Sequence, residues 1–198
     1  MTVTKAAVDG LPERNFRPLA APAGFFLAQH GPFLGRLDNN IFRLGLRIGA
    51  SHANAGGICH GGMLMAFAET QLILGAMHSL NDFDHLVTIN MSVDFVRPGK
   101  VGGWLEGEVH IVRATRSMIF AEAIVTVNGD IALRVSGILE RRHGAKVDPQ
   151  SIFADEVSVR EEPGGQSLTP DDYRPLAIPG GFLKSIGPLY GQLVGETF

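Results

Sequence analysis

Residues 54–69 read NAGGICHGGMLMAFAE, a glycine-rich loop that opens into a long apolar segment. The apolar segment continues to Leu80, contains no proline, and has no glycine between Gly62 and Gly75. Many of its residues are good helix formers, so the sequence predicts one long helix that is too hydrophobic to lie on a protein surface. We therefore expect the rest of the chain to pack around this helix.

Glu69 is the only formally charged residue between His60 and Leu80. Its neighbours one helical turn away are Met65, Ala66, Leu72 and Ile73. An unpaired carboxylate among apolar groups is costly, and such groups are often functional, so Glu69 is a candidate general base. The alternative is that Glu69 reaches solvent at the rim of the helix.

Gly61 and Gly62 stand at the predicted helix start, where the first backbone N–H groups have no intrahelical partner. Without a Cβ to keep a ligand away, they could stabilise a developing oxyanion. The alternative is a pair of glycines that allows close packing at a tight turn. Gly61 and Glu69 are about 12 Å apart along the helix axis. If both act on one carbonyl, they must come from two copies of the chain, which predicts an active site across a two-fold interface.

The flanking segments predict strands at residues 40–48, 86–96, 104–112, 118–127 and 131–140. Asn128-Gly129 between two alternating runs predicts a tight hairpin. Simple alternation along residues 86–96 places Thr88 opposite the apolar row of Val87, Ile89, Met91, Val93 and Phe95. Residues 1–22 predict a loose arm, and residues 24–37 a short helix broken at Gly31-Pro32. The pattern is typical of an α+β fold in which an antiparallel sheet curves around one helix.

The series Asn-x-x-Gly-x-x-His-Gly-Gly, followed by an apolar helix with an acid nine residues after the His, resembles the hotdog-fold acyl-CoA thioesterases. The resemblance is to the phenylacetate-pathway type within the hydroxybenzoyl-CoA thioesterase superfamily, and it covers roughly residues 33–142. It implies hydrolysis of an acyl-CoA, with coenzyme A as part of the substrate and no further cofactor. It assigns carbonyl polarisation to Gly61, substrate or water positioning to Asn54, and an assisting hydroxyl to Thr88. Glu69 would activate water or attack directly, and because many relatives have Asp there, that choice stays open.

The predicted organisation is an N-terminal extension (1–32), a hotdog domain (33–142) and a C-terminal extension (143–198). We expect His60 and Gly62 to contact the substrate beside Gly61. Arg97, Arg113 and Arg116 are cations without nearby acids in the sequence, and guanidinium pairs well with phosphate, so they predict a binding site for the coenzyme A phosphates. The alternative is a solvated turn.

Composition narrows the classes of function. The 198 residues are 45% hydrophobic with a net charge of −3, which predicts a chain with a proper core and argues against nucleic acid as the main partner. No secretory signal or membrane-spanning segment is evident, so we expect a soluble cytoplasmic protein. The single cysteine, Cys59, excludes an internal disulfide and is expected to be buried. His52 and His60 lack metal-ligand spacing, so no metal is predicted.

Two other functions remain open at this point. One is a hydratase or dehydratase of the same fold, in which His52 or His60 works with Glu69. The other is a non-catalytic acyl-CoA binding protein. The resemblance also implies a homodimer or a dimer of dimers.

Residues 180–193 echo residues 24–37 at a constant offset of 156. Chance similarity, a relic of a duplicated hotdog unit, and a pair of docking segments near the acyl pocket are three possible explanations.

Overall fold

A computed structural model describes residues 15–21, 26–154, 174–175 and 190–191 of the chain. Its elements are β1 (Arg17–Pro18), α1 (Phe26–Gln29), β2 (Leu34–Asp38), β3 (Ile41–Arg47), α2 (Gly61–Leu80), β4 (Asp84–Phe95), β5 (Trp104–Ala114), β6 (Met118–Val127), β7 (Asp130–Lys146), β8 (Arg174–Pro175) and β9 (Tyr190–Gly191). Strands β1 to β7 form one antiparallel sheet that curves around α2. The predicted α+β hotdog fold is confirmed.

The central helix α2 has 20 residues, which corresponds to a length of about 30 Å. His60 caps its start, and Asn81 ends it in a left-handed conformation. Its buried side chains, among them Met63, Phe67 and Leu72, pack against the concave side of the sheet. No helix in the described part of the chain is both long enough and apolar enough to cross a membrane.

Three glycines allow α2 to lie close to the sheet. A Cβ on Gly75 would come within 2.4 Å of Val109, and a Cβ on Gly137 within 2.7 Å of Leu72. Gly107 leaves room for the buried side chain of Gln71. The Gln71 amide accepts a hydrogen bond from the Leu44 N–H (2.7 Å) and donates one to the Phe42 carbonyl (3.0 Å). It therefore ties the helix to β3.

The strand order in the sheet is β1-β2-β3-β5-β6-β7-β4. The predicted hairpin is confirmed, since Asn128 and Gly129 both have positive φ (51° and 89°) between β6 and β7. This pair of angles suits the primed two-residue turns. Strand β4 lies at one end of the order, and among the described residues it pairs only with β7.

A β-bulge in β4 changes which side chains face the helix. The pairing with β7 slips between Thr88 and Asn90, so Ile89 has no register partner. Thr88 consequently pairs with the fully buried Leu139 and faces inward, as Met91 and Val93 do on the far side of the bulge. The prediction that Thr88 points away from this apolar row is wrong, because simple alternation does not hold through a bulge.

The N-terminal segment is more ordered than the sequence predicts. Arg17–Pro18 pairs with β2, and Leu34–Asp38 is a strand that continues the sheet beyond β3, so the predicted helix is limited to Phe26–Gln29. Phe16 packs edge-on against the buried Trp104 at a centroid distance of 5.2 Å. The predicted break at Gly31-Pro32 is present, and Phe33 beyond it packs on Phe67 of α2.

Beyond β7 the described chain forms a short 3-10 turn at Pro149–Ile152, in which Ile152 joins the core. Strands β8 and β9 form a separate two-stranded antiparallel sheet. Apart from Tyr190 and Gly191, residues 180–193 of the predicted repeat lie outside the described residues.

Candidate active site

The start of α2 leaves one amide without an acceptor. The Met63 and Leu64 N–H groups donate to the His60 carbonyl, and the Gly62 N–H donates to His60 Nδ1 (3.0 Å). Among the described residues, the Gly61 N–H has no hydrogen-bond acceptor. The expectation of unpaired amides therefore holds for Gly61 but is wrong for Gly62, whose N–H is capped by the side chain of His60. One N–H at the positive end of a long helix dipole is thus available to an anionic or carbonyl oxygen.

Asn54 shapes the loop that leads to this amide. Its side-chain oxygen accepts hydrogen bonds from the Gly56 N–H (2.9 Å) and the Ile58 N–H (3.4 Å). This Asx-type arrangement fixes the side chain, which is half-buried. Its NH2 group donates to no described residue, so it remains available as a second donor to a ligand.

Phe95, a residue that the sequence did not single out, borders the same amide. A Cβ on Gly61 would lie 3.5 Å from the Phe95 ring, and the ring is 55% exposed. It therefore forms an apolar wall next to the free N–H. A conventional β-strand phenylalanine gives no sequence signal for this role, since the contact depends on how α2 crosses β4.

Glu69 lies on the least buried side of α2. It is half-buried, as are Ala66 and Ile73, while Met65 is 40% exposed. Within the described part of the chain, the Glu69 carboxylate makes no hydrogen bond or ion pair. Within one chain Glu69 is therefore an unpaired carboxylate that is partly open to solvent, as the alternative expected, and it lies where a second molecule could cover it.

The Thr88 hydroxyl is buried and has no hydrogen-bond partner among the described residues. The Arg36 Nε atom also lacks a hydrogen bond of good geometry, but it lies 2.8 Å from the Asp38 carboxylate. Buried hydroxyls normally find a partner, so this hydroxyl, which faces the helix, is a candidate for a hydrogen bond to a ligand.

The relative positions of these groups follow from the direction of α2. Its start contacts Phe95 near the end of β4, and Leu72 contacts Gly137, the register partner of Met91. The helix therefore runs antiparallel to β4. Gly61 and Glu69 are about 12 Å apart on one regular helix. Thr88 lies seven residues before Phe95 on β4, or roughly 20 Å from it. One chain does not bring all of these groups together.

The three predicted phosphate ligands occupy two distant places. Arg97 forms an exposed ion pair with Asp130 (2.8 Å), so the expectation of a cation without a nearby acid is wrong for this residue. The Arg97 N–H donates to the carbonyl of Ala132 in β7, whereas the turn that carries Arg113 and Arg116 lies near Glu140, farther along the same strand. Eight residues of strand span about 27 Å, so the two places are too far apart to form one phosphate site within a chain. Arg113 and Arg116 are exposed.

The neighbouring titratable groups serve the fold. Burial raises the pKa of the Cys59 thiol to about 12, so this thiol is not a nucleophile. His52 is buried, its Nδ1 accepts from the Gly49 N–H (2.9 Å), and it hydrogen-bonds the backbone of His30. Burial lowers the pKa of His52. Because both ring nitrogens are engaged within the fold, His52 is poorly placed to exchange protons with a substrate.

Comparison with known proteins places this region in a family. A model of the thioesterase superfamily matches residues 56–131, which include Gly61, Glu69 and Thr88. A protein of Pseudomonas aeruginosa named "Putative esterase PA0474" is 31% identical over 109 residues, which cover 54% of this chain and 81% of the relative.

Two solved structures share the fold. A phenylacetic acid degradation-related protein of Ralstonia eutropha has a TM-score of 0.53 at 20% identity, covering 61% of this chain and 92% of its own. A mutant of the phenylacetic acid degradation protein PaaI of Thermus thermophilus has a TM-score of 0.51 at 21% identity, covering 59% and 98%.

Proposed function

The chain belongs to the thioesterase superfamily, and from this premise we propose that it hydrolyses an acyl-CoA thioester to a carboxylic acid and free coenzyme A. The observation that carries the proposal is the Gly61 N–H, the one amide at the start of α2 that has no acceptor among the described residues. A fixed N–H at a helix start is suited to the negative charge that develops on a thioester oxygen.

In the proposed reaction, the Gly61 N–H and the Asn54 NH2 group hold the thioester carbonyl oxygen. The Thr88 hydroxyl and the Glu69 carboxylate hold a water molecule. As the water oxygen bonds to the carbonyl carbon, Glu69 accepts its proton, and the carbon–sulfur bond then breaks. The proton passes to the departing sulfur, which leaves as the coenzyme A thiol. Direct attack by Glu69 followed by hydrolysis of the anhydride would use the same groups.

We propose that each site is built by two copies of the chain, because the groups are too far apart within one copy. The unpaired edge of β4 is suited to antiparallel pairing with a second β4, and its neighbourhood exposes apolar side chains, Met65, Ile89 and Phe95. Such pairing sets the Gly61 end of one β4 beside the Thr88 end of the partner's β4. The apolar side of α2 that carries Glu69 would then be covered.

Coenzyme A would reach this site along the interface. Arg113 and Arg116 are the better candidates for its phosphates, because Arg97 already has Asp130 as a partner. The acyl group would lie among the apolar side chains of α2. A thiol-release screen across short, medium, long-chain and aromatic CoA esters identifies it, and tight acyl-CoA binding without thiol release would instead favour a binding protein.

Replacement of Gly61 by proline tests the oxyanion donor directly. Proline is tolerated at the first position of a helix, and His60 has the extended conformation (φ −63°, ψ 136°) that a following proline requires. The change removes the N–H and should lower kcat by about 10² to 10³-fold. Gly61→Ala is the matched control, because its Cβ would make only ordinary contact with Phe95 at 3.5 Å and the N–H stays. Equal activity of the two variants would contradict the assignment.

Mixed assemblies test the two-copy site. Gly61→Pro and Glu69→Gln chains should each be inactive alone, with Glu122→Gln on the exposed side of β6 as a control for charge loss. If Gly61 and Glu69 of one site come from different chains, a mixed dimer keeps one intact site. Random association of equal amounts should then restore about a quarter of wild-type activity. If both groups come from one chain, co-expression restores nothing.

A further inference from the structure

The first 38 residues contain a unit that adds two strands to the edge of the hotdog sheet. We call the described residues 17–21 and 26–38 the arm. Arg17 pairs with Gly35 and Pro18 with Leu34, and β2 then pairs along its other edge with β3. Inside the arm, Leu19 packs so closely on Gly35 that a Cβ there would come within 2.8 Å. The arm is thus a small folded-back unit with one internal pairing and one outward pairing.

The sequence of the arm recurs near residue 180. Arg-Pro-Leu-Ala at 17–20 reappears at 174–177, and with one residue omitted near Phe25-Phe26 the similarity continues to Leu37 and its counterpart Leu193. Twelve of the twenty positions compared are identical. The structure repeats the pairing as well, since Arg174 pairs with Gly191 and Pro175 with Tyr190. These are the counterparts of the pairs Arg17–Gly35 and Pro18–Leu34. Chance similarity does not explain a repeated strand register.

The residues kept in the second copy are those that build the arm itself. They include the counterparts of Leu19 and Gly35, whose contact closes the arm. Four residues of the first copy that contact the hotdog domain are instead replaced, although others that contact it, such as Gly35 against Phe42, are kept. The replacements are Ile186 for His30, Leu189 for Phe33, Gln192 for Arg36 and Val194 for Asp38.

Each replaced residue has a defined contact in the first copy. Phe33 stacks on Phe67 of α2 at a centroid distance of 6.3 Å. Arg36 lies 3.4 Å from the Glu106 carboxylate, and Asp38 lies 3.4 Å from Arg43. His30 is buried against His52. A glutamine and a valine at the positions of Arg36 and Asp38 could form neither ion pair, so the second copy does not match the surface that the first one covers.

We propose that residues 174–194 are a second copy of the arm, and that its binding partner is the β3-side edge of a hotdog unit with a different sequence. That unit presents apolar or uncharged groups where this chain has His52, Arg43 and Glu106. The described residues agree with this, because β9 forms a two-stranded sheet with β8 and does not join the seven-stranded sheet. In this chain both edges of β3 are already paired, with β2 and β5.

Cysteine crosslinking in the full chain tests where each copy binds. Arg36 and Arg43 are register partners across β2 and β3, so the pair Arg36→Cys with Arg43→Cys is the reference. Gln192→Cys with Arg43→Cys asks whether the second copy ever occupies that edge. The native Cys59 is buried and its pKa is raised to about 12, so it does not interfere. The crosslinked peptides are identified by mass, and gel mobility separates links within one chain from links between chains.

We expect the reference pair to link and the Gln192–Arg43 pair to link at least about tenfold less. The cysteine substitutions remove both ion pairs in either case, so this difference rests on Phe33 and His30, which the second copy replaces by leucine and isoleucine. An exchange variant then moves the domain-facing residues between copies. It carries His30→Ile, Phe33→Leu, Arg36→Gln and Asp38→Val in the first copy, with Ile186→His, Leu189→Phe and Val194→Asp in the second. Its Gln192–Arg43 link should rise by about tenfold over that of the unexchanged chain.

Two results would overturn the proposal. Linking of the unexchanged Gln192–Arg43 pair as efficiently as the reference would show that the second copy binds this chain's own hotdog edge. A background level of linking in the exchange variant, with an unchanged melting curve, would show that residues 174–194 do not act as an arm. Both measurements are made without substrate, so they stand apart from the test of thioester hydrolysis.

Discussion

The Thr88 hydroxyl offers a test in which stability and activity should change in opposite directions. It is buried, faces α2 and has no hydrogen-bond partner among the described residues. An unpaired buried hydroxyl costs a protein about 1 to 3 kcal/mol. Thr88→Val keeps the branched shape and the strand preference and replaces only the hydroxyl, with a methyl group. We therefore expect this variant to be more stable by about 1 kcal/mol, which corresponds to about 2 to 4 °C in Tm for a chain of this size.

The same substitution should lower kcat, because the hydroxyl is assigned to the attacking water. Thr126→Val on β6 is the matched control, since its half-buried hydroxyl donates to the Glu106 carbonyl at 3.3 Å and its removal should lower Tm. Differential scanning calorimetry measures Tm, and a chromogenic thiol assay with an acyl-CoA identified in the screen measures kcat. A Thr88→Val protein that loses Tm as Thr126→Val does, or that keeps wild-type kcat, would refute the reasoning.

Three further predictions concern the fold. Gln71→Leu leaves the Leu44 N–H and the Phe42 carbonyl without a hydrogen-bond partner. Denaturant unfolding should therefore show a loss of about 3 kcal/mol in unfolding free energy, and an unchanged midpoint would contradict the role of this amide. Gly75→Ala should destabilise the chain by about 1 to 3 kcal/mol despite the better helix propensity of alanine, because its Cβ would lie 2.4 Å from Val109 of β5. A gain in Tm would show that β5 moves aside to accommodate the methyl group. Burial lowers the pKa of His52 and of His78 below 6.5, so as pH falls the unfolded chain takes up protons before the folded chain does. The unfolding free energy should therefore fall as pH drops below about 6.5 and stay level above it. His52→Gln should reduce that slope, and an equal slope in the variant would exclude His52 as its source.

The central helix and the β6–β7 turn were predictable because their signals are local. A mostly apolar run without glycine or proline between Gly62 and Gly75 leaves few alternatives to a buried helix. Asn128-Gly129 supplies the two positive φ angles that a tight hairpin needs. Neither depends on distant contacts. The family motif adds the order of these elements, and the fold follows from the two together.

The orientation of Thr88 was not predictable, because a bulge is a property of a strand pair. The sequence alternates without interruption from Val87 to Phe95, and the slip at Ile89 arises only in the pairing of β4 with β7. Likewise, β1 has two residues and carries no periodicity of its own. It exists because Arg17 and Pro18 find partners in Gly35 and Leu34, which are separated from them by the short helix α1. Residue patterns do not record such pairings.

Within the proposed site, the sequence and the family resemblance point to Gly61, Asn54 and Glu69 but do not tell which of their atoms are free. The Gly62 N–H is used by the side chain of His60, and the Asn54 oxygen by its own loop. These side-chain caps decide that one amide and one NH2 group remain for a ligand. They depend on rotamers and on loop geometry, which composition and spacing do not specify.

The unused hydrogen-bonding groups lie toward opposite ends of one strand, β4, and this connects the fold to the proposed two-copy site. Other buried polar side chains have partners in the described chain, as Gln71 has in β3 and His52 in the Gly49 N–H, and the Arg36 Nε atom lies 2.8 Å from the Asp38 carboxylate. The Gly61 N–H and the Thr88 hydroxyl lie instead along β4, the strand whose outer edge lacks a partner in the described residues. Groups left unpaired in a folded chain carry an energetic cost that persists only where something else compensates it. A second β4 edge would enclose these groups, and a thioester with its attacking water would supply the missing hydrogen bonds. The same arrangement therefore accounts for the exposed apolar edge, the orphan hydroxyl and the free amide.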